Sequence, residues 1–209
     1  MRLVSIDVGN TLVTSDKPGV ATLVTRAASS SPALDEAIAS LHTQPVTQAL
    51  LDRICERLGI KPFDIKSYCP PDPIPLPGVV DALVRLKASK VRIVTLSNVV
   101  SLDATPLPDG LTTQIDAHYQ SFRVGAAKPD PNAFAAMLNA ENVRARDAIH
   151  IGDSWRCDVI GALSVGMVPI WVTSKQKHSI GNYEEEVTVA ASFCEAVELL
   201  MRGPLNERE

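Results

Sequence analysis

The sequence predicts an α/β protein built on a doubly wound parallel sheet, with a small helical segment inserted after the first strand. Short apolar runs alternate with amphipathic helical stretches along most of the 209 residues, which is typical of βαβ units. The apolar residues are mainly Ala, Val, Leu and Ile, with only 4% aromatics, as expected of parallel strands covered by helices. The alternation stops between Thr14 and Pro77, where only helical patterns occur.

The apolar runs predict five strands, and helical patterns fall between them. The strands are Leu3–Asp7, Val91–Leu96, Ala148–Ile151, Val168–Val172 and a weaker one at Val187–Ala190. The helical stripes are Val79, Leu83 and Leu86, and Phe134, Met137 and Leu138. Ligands bind outside the carboxyl ends of the strands in such a sheet. The residues that follow each strand are therefore the candidates for function.

Residues 14–77 are predicted to form a helical cap subdomain, and residues 1–13 and 78–209 the core domain. Ser31-Pro32 is predicted to start one helix as N-cap and first residue. A second apolar stripe runs from Val46 to Leu58 and is closed by Gly59. The run "CPPDPIPLPG" carries five prolines and is predicted to be a stiff, irregular return linker. The alternative interpretation is that these helices extend the core layer.

The amino-acid composition limits which binding partners and which cellular compartment we expect for this protein. The net charge of −4 gives no basic footprint, so we expect no nucleic-acid partner. The four cysteines are scattered without CxxC spacing, which favours free thiols in a reducing compartment. A strand starts at once, so no signal peptide is expected, and no apolar run approaches the ~20 residues of a membrane span. We therefore expect a cytoplasmic protein without a membrane partner, as a monomer or weak dimer.

Polar clusters follow four of the apolar runs. They are Asp7 with Thr11, Ser97 with Asn98, Lys128 with the helix start Asp130-Pro131, and Asp153 with Asp158. Because parallel strands end at one edge of a sheet, we expect these clusters to lie close together.

In this order the four clusters resemble the motifs of the haloacid dehalogenase-like (HAD) superfamily. The first motif of the family, D-x-D-x-T, is similar to "DVGNT" at 7–11, and the fourth, G-D-x-x-x-x-D, to "GDSWRCD" at 152–158. The second, a Ser or Thr at a strand end, is matched by Ser97, and the third, a lysine often followed by P-D-P, by Lys128. The resemblance covers about residues 2–172, and the helical insertion looks like a short version of the alpha-helical cap.

The resemblance implies a HAD-like Rossmannoid core and an Mg²⁺-dependent hydrolase, a phosphatase acting on a small phosphorylated metabolite. It implies that Asp7 forms an aspartyl-phosphate intermediate. It also implies that the backbone carbonyl of Gly9, rather than a side chain, joins the metal ligands.

The residue types support this chemistry on their own. Asp7 is able to act as a nucleophile if its charge is controlled, and Asp153 and Asp158 add two carboxylates at the same sheet edge. Three carboxylates repel one another unless a hard cation is present, and oxygen ligands suit Mg²⁺. Lys128 supplies a point charge for Asp7 and for the transferring group. Asp158 belongs to the metal site either as a ligand or, as we favour, as a partner of the ligands.

Ser97 is predicted to be catalytic, and Asn98 and Thr11 to bind phosphate, although Thr95 competes with Ser97 for its role. Trp155 either lines the pocket or packs against a neighbour. The histidines show no ligand spacing and are interpreted as structural or exposed: His42, His118, His150 and His178.

Gly9 departs from the phosphatase pattern. The phosphatases of the family carry a second Asp there, which protonates the leaving group and later deprotonates the attacking water. General acid–base catalysis contributes typically 10²–10⁴-fold, so its loss predicts an impaired or specialised enzyme. Alternatively, glycine serves a tight turn and the cap or water supplies the acid. Three further alternatives are a dehalogenase, a phosphonatase and a catalytically silent HAD-fold binding protein.

Overall fold

The computed structural model describes residues 3–174 and 187–202 of the chain. Its strands are β1 Leu3–Ile6, β2 Val13–Ser15, β3 Pro73–Pro75, β4 Arg92–Ser97, β5 Ala117–Gln120, β6 Ala148–Gly152, β7 Val168–Val172 and β8 Thr188–Ala190. Six of them form one parallel sheet in the order β5-β4-β1-β6-β7-β8. The predicted α/β fold class and the five predicted strands are confirmed.

Helices connect and cover the strands. Those of the described residues are α1 Val20–Ala27, α2 Leu34–Thr43, α3 Gln48–Leu58, α4 Val79–Ala88, α5 Asp109–Thr112, α6 Ser121–Val124, α7 Pro131–Glu141, α8 Gly161–Ser164 and α9 Phe193–Arg202. A π-helical turn, Trp155–Ile160, precedes α8. Within the described ranges, no helix has the length and apolar character needed to cross a membrane.

The sheet is buried on both faces. Val4, Ile6 and Ile93 contact the apolar sides of α4 and α9 on one face. On the other face, Leu3 and Val94 pack against Phe134 and the rest of α7. Neighbouring strand residues alternate between the two layers, because successive side chains of a strand point to opposite faces. This burial holds the strand ends, and the polar residues that follow them, in fixed positions.

Two local predictions for residues 14–77 are wrong. The proline run is not wholly irregular, because Pro73–Pro75 pairs antiparallel with Val13–Ser15. An edge strand tolerates proline, and Ile74 still supplies one N–H between the two prolines. The helix predicted to start at Pro32 begins instead at Leu34, although the Ser31 hydroxyl accepts the Ala33 N–H at 3.4 Å.

The helices α1 to α3 share an apolar cluster of their own, which includes Val20, Leu41 and Leu51. This cluster also buries Val100, from the loop that follows β4. The same loop provides Asp103, which accepts the Val20 N–H at 2.9 Å and the hydroxyl of Tyr68. These contacts join the helices to the end of β4. The division into core and cap at residues 14 and 77 stays a prediction.

Candidate active site

Asp7 directly follows β1 and lies at the carboxyl edge of the sheet. Its N–H donates to the Ile151 carbonyl of the adjacent strand at 2.8 Å, which fixes the backbone where the carboxylate begins. The residue is only 8% exposed, and Lys128 Nζ donates to its Oδ1 at 2.6 Å. Among the described residues, Oδ2 has no hydrogen-bond partner. One carboxylate oxygen is thus held by a cation and the other is available.

Lys128 lies in the loop before α7 and is 4% exposed. Its ammonium is 2.6 Å from Asp7 Oδ1 and 2.7 Å from Asp158 Oδ1. Burial lowers the pKa of Lys128, but the two carboxylates outweigh burial and hold that pKa above its usual range. The lysine therefore stays charged beside Asp7.

Asp158, in the π-helical turn, has partners on both carboxylate oxygens. Oδ1 faces Lys128 Nζ and lies 3.1 Å from His150 Nε2, while Oδ2 accepts the Ser154 N–H at 2.8 Å. Burial raises the pKa of Asp158, but Lys128 and His150 outweigh it, so the pKa lies below its usual range. A Cβ at Gly152 would lie 2.3 Å from the Asp158 carboxyl carbon, so only glycine fits there. These contacts favour the role of a partner that holds Lys128.

His150 belongs to this network as a buried structural residue, one of the two roles expected for it, but the sequence did not identify its partners. The fully buried ring lies 3.0 Å from Ser5 Oγ and 3.1 Å from Asp158 Oδ1, and it packs edge-on against Phe134. Burial lowers its pKa. The available signal was a polar residue in the middle of an apolar strand, where a buried ring needs a polar partner.

Asn98 follows β4 and holds the loop that carries Lys128. Its side chain accepts the Lys128 N–H at 2.8 Å and donates to the Lys128 carbonyl at 2.7 Å. The side chain is therefore engaged with the loop, and the phosphate-binding role of Asn98 stays a prediction.

Ser97, Thr95 and Thr11 differ in their surroundings. The Thr95 hydroxyl is buried and lies 2.9 Å from His118 Nδ1. Ser97 lines the cleft, and its hydroxyl has no partner in the part of the chain that the structure describes, which favours Ser97 over Thr95. The Thr11 hydroxyl is buried and also lacks a hydrogen-bond partner among those residues.

Asp153 follows β6 and completes an acidic cluster. Asp7, Asp153 and Asp158 each offer one carboxylate oxygen within 4.8 Å of the others. Burial raises the pKa of Asp7 to about 6 against the lowering effect of Lys128, and burial together with Asp158 raises the pKa of Asp153. Three carboxylates thus face one ammonium, so the cluster has an excess of negative charge. Its oxygen ligands and this excess charge both suit a divalent cation.

Gly9 lies at the exposed side of the cluster. A Cβ built on Gly9 would meet no atom within 4 Å, and the residue is outside the left-handed region. The local hydrogen bonds run from Asn10 N–H to the Val13 carbonyl and from Val13 N–H to the Val8 carbonyl. They leave the Gly9 carbonyl unused, as a metal ligand requires. Neither space nor backbone conformation explains a glycine at this position.

A cleft of about 940 Å³ opens above the strand ends. Asp7, Ser97, Lys128 and Asp153 line it from the sheet, and His42 of α2 lines it from the helical segment. The structure therefore brings the predicted clusters to one edge.

The remaining predictions concern residues around the cleft. His118 is exposed, and Trp155 packs on Trp171 with ring centroids 4.9 Å apart. His178 lies outside the described residues.

The architecture places this chain among α/β proteins that carry their chemistry at the strand ends. A profile of the haloacid dehalogenase-like hydrolase family matches residues 1–166, most of the chain. The chain belongs to this family of hydrolases, as the motifs predicted.

Solved structures share the fold. A HAD phosphatase from Thermococcus onnurineus has a TM-score of 0.60 at 16% identity, covering 96% of this chain and 98% of that one. A 2-haloacid dehalogenase from Pseudomonas syringae has a TM-score of 0.65 at 20% identity, with 97% and 99% covered. At identities this low, the likeness shows the fold alone. The two proteins are named for different reactions, so the shared fold does not indicate which reaction this chain catalyses.

Curated relatives match over shorter stretches. The glyceraldehyde 3-phosphate phosphatase of Pyrococcus abyssi is 30% identical over 103 residues, which are 46% of this chain and 41% of the relative. The mouse haloacid dehalogenase-like hydrolase domain-containing protein 3 is 41% identical over 58 residues, covering 28% and 23%. The chain matches less than half of the length of these relatives.

Proposed function

We propose that this chain is an Mg²⁺-dependent phosphatase that hydrolyses a small phosphorylated metabolite through an aspartyl-phosphate on Asp7. The observation that carries the proposal is the buried pair of Asp7 and Lys128, with contact at Oδ1 alone. A carboxylate held in this way keeps its orientation and its charge while the second oxygen can attack. The phosphatase names of relatives such as the one from Pyrococcus abyssi support the same reaction class.

The reaction has two steps at phosphorus. Asp7 Oδ2 first forms a bond to phosphorus while the bond to the leaving oxygen breaks, and the leaving group takes the electron pair. Water then attacks the same phosphorus, its proton passes to solvent, and Asp7 and inorganic phosphate are released. Phosphoryl transfer depends mainly on positioning and charge stabilisation, and Lys128, held by Asp158 and Asn98, provides both here.

The carboxylates of Asp7 and Asp153 and the Gly9 carbonyl would hold the metal, with Asp158 behind them. Mg²⁺ bound there would stabilise the negative charge of the transferred group. The Ser97 hydroxyl and the Asn98 N–H would hold the phosphoryl oxygens, because Ser97 ends β4 and Asn98 follows it at the rim of the cleft. A bound ligand would also give the buried Thr11 hydroxyl the partner that it lacks among the described residues.

Trapping of the nucleophile tests this proposal. Beryllofluoride mimics the phosphoryl group, and the adduct can be followed by fluorine NMR. We expect an adduct that requires Mg²⁺, is lost in Asp7→Asn and persists in Asp81→Asn, which changes an exposed aspartate of α4. Absence of the adduct in the wild-type protein would favour a catalytically silent binding protein. Halide release from 2-chloropropionate without the adduct would favour a dehalogenase.

A further inference from the structure

Arg123 is a cation that the proposed chemistry does not use. It lies on α6, directly after β5, and lines the same cleft as Asp7 and Ser97. The helix α6 contacts α2, which carries His42, another residue lining the cleft. Arg123 thus lies where the strand ends meet the helical segment.

The charge of Arg123 is not neutralised within the described part of the chain. Lys128, a second cation lining the cleft, is engaged with two carboxylates, and the ammonium of Lys17 lies 3.6 Å from Cys69 Sγ. The guanidinium of Arg123 has neither a hydrogen bond nor an ion pair among those residues, and lies over the Phe122 ring at 5.5 Å. The ring leaves the planar group free to bind an anion with two parallel hydrogen bonds.

The acidic residues of the cleft have other partners. Asp7 and Asp158 face Lys128, and Asp153 belongs to the candidate metal cluster. Asp103 accepts the Tyr68 hydroxyl and the Val20 N–H. An anion that reaches Arg123 would therefore meet a positive charge with no carboxylate already bound to it.

The sheet sets the distance between the two ends of such a ligand. β5 is separated from β1 by β4 alone, and neighbouring strands lie roughly 4.8 Å apart, so the two strand ends are about 10 Å apart. An extended arginine side chain spans much of that distance. A group only a few bonds from a phosphorus at Asp7 would therefore reach the guanidinium.

We propose that Arg123 binds a second anionic group of the substrate, a carboxylate or a second phosphate, so that the enzyme prefers phosphate esters that carry another acid. This inference rests on the proposed function, because it places the phosphoryl group at Asp7. Glyceraldehyde 3-phosphate, after which the Pyrococcus relatives are named, has no second anionic group. The inference therefore predicts a different substrate class for this chain.

Two matched aryl esters test it: 4-carboxyphenyl phosphate and its neutral analogue 4-carbamoylphenyl phosphate. They differ in the distal charge and little in size. We expect wild-type kcat/KM to favour the carboxylate about five- to tenfold, as for a partly exposed ion pair. Arg123→Gln should remove the preference, and Arg123→Lys should keep part of it. Lys17→Gln, which removes another cation of the cleft, should leave the preference unchanged.

Binding of both esters to the Asp7→Asn protein, measured by calorimetry, separates this inference from the proposed function. Tighter binding of the carboxylate ester that depends on Arg123 supports the inference. Failure of the wild-type protein to hydrolyse either ester would count against the phosphatase but not against this inference. Equal affinity for the two esters, or a preference that survives in Arg123→Gln, would overturn the inference and leave the phosphatase intact. Once the carboxylate preference is established, a phosphonate analogue, compared with the carboxylate ester on the same protein, identifies which of the two anions Arg123 binds more tightly.

Discussion

The inner half of the candidate active site, formed by Lys128, Asp158 and His150, is fully occupied by contacts within the protein. All three side chains are buried, and their polar atoms contact one another, Asp7, Ser5 or Ser154. The outer half, formed by Gly9, Ser97 and Arg123, is different. Its two side chains make no hydrogen bond within the described residues, and Gly9 has no side chain to do so.

In the proposed phosphatase, this difference would separate two tasks. The inner half holds the charge that orients Asp7, and its buried contacts make that charge part of the folded structure. Under the proposed function, the outer half would face the leaving group and the rest of the substrate. The proton for the leaving group and the recognition of the substrate are therefore left to groups that can be exchanged without changing the fold.

Loss of the inner cation should have the largest effect. Lys128→Met leaves the buried Asp7 and Asp158 facing each other without a cation, so we expect kcat to fall by about 10²–10³-fold. Breaking such a pair costs about 3–5 kcal/mol of unfolding free energy. Turnover of 4-nitrophenyl phosphate and urea unfolding measure the two effects. Lys87→Met is the control: it removes an exposed ion pair with Asp116 and should cost at most about 1 kcal/mol of unfolding free energy. Comparable losses in both variants would contradict a special role of the inner half.

A change in the outer half should add function. Wild-type rates should depend steeply on leaving-group acidity, with aryl and acyl phosphates turned over much faster than alkyl phosphates, because Gly9 cannot protonate the leaving oxygen. Gly9→Asp should raise the alkyl rate on the order of 10²-fold, since a Cβ meets no atom within 4 Å and the backbone is outside the left-handed region.

A series of phosphate monoesters with graded leaving-group acidity, run on both proteins, measures this effect. Gly9→Asn, which has the same shape without the acid, is the matched control and should not raise the alkyl rate. A flat series in the wild type would show that another residue, such as His42 of the cleft, supplies the proton.

The sequence was sufficient for those parts of the site that depend on strand ends. The positions of Asp7 and Asp153 followed from the apolar runs before them, and that of Lys128 from its resemblance to the third family motif. The structure brings all three together. The contacts of Asn98 and His150 could not be predicted from the sequence. The partner of Asn98 is 30 residues away, and the ring of His150 reaches across from β6 to β1.

The secondary structure that was missed has local reasons. β5 was not predicted, because Ala117–Gln120 is half polar and lies at the edge of the sheet, so it has no apolar run. β3 was not predicted, because proline normally argues against a strand and this one is only three residues long.

Addition of Mg²⁺ should have the smallest of the predicted effects. It tests whether a metal binds where the inner and outer halves of the site meet. Asp7 and Asp153 lie there, and like-charge repulsion among the carboxylates is what a cation would relieve. At a Mg²⁺ concentration ten times its Kd, binding adds about 1.4 kcal/mol of unfolding free energy. For a chain of this size that raises the Tm by roughly 3–6 °C. Asp153→Asn should abolish most of the shift, whereas Asp81→Asn should keep it.

The two tryptophans of the chain provide a second readout that is independent of stability. Trp171 donates its indole N–H to the Asp153 carbonyl at 2.9 Å and packs against Trp155. Binding at Asp153 should therefore change the intrinsic fluorescence, with the same concentration dependence as the Tm shift. If millimolar Mg²⁺ changes neither the Tm nor the fluorescence of the wild-type protein, the assignment of Asp7 and Asp153 as metal ligands is wrong. The buried Lys128 would then be the one cation among the described residues that neutralises charge at Asp7.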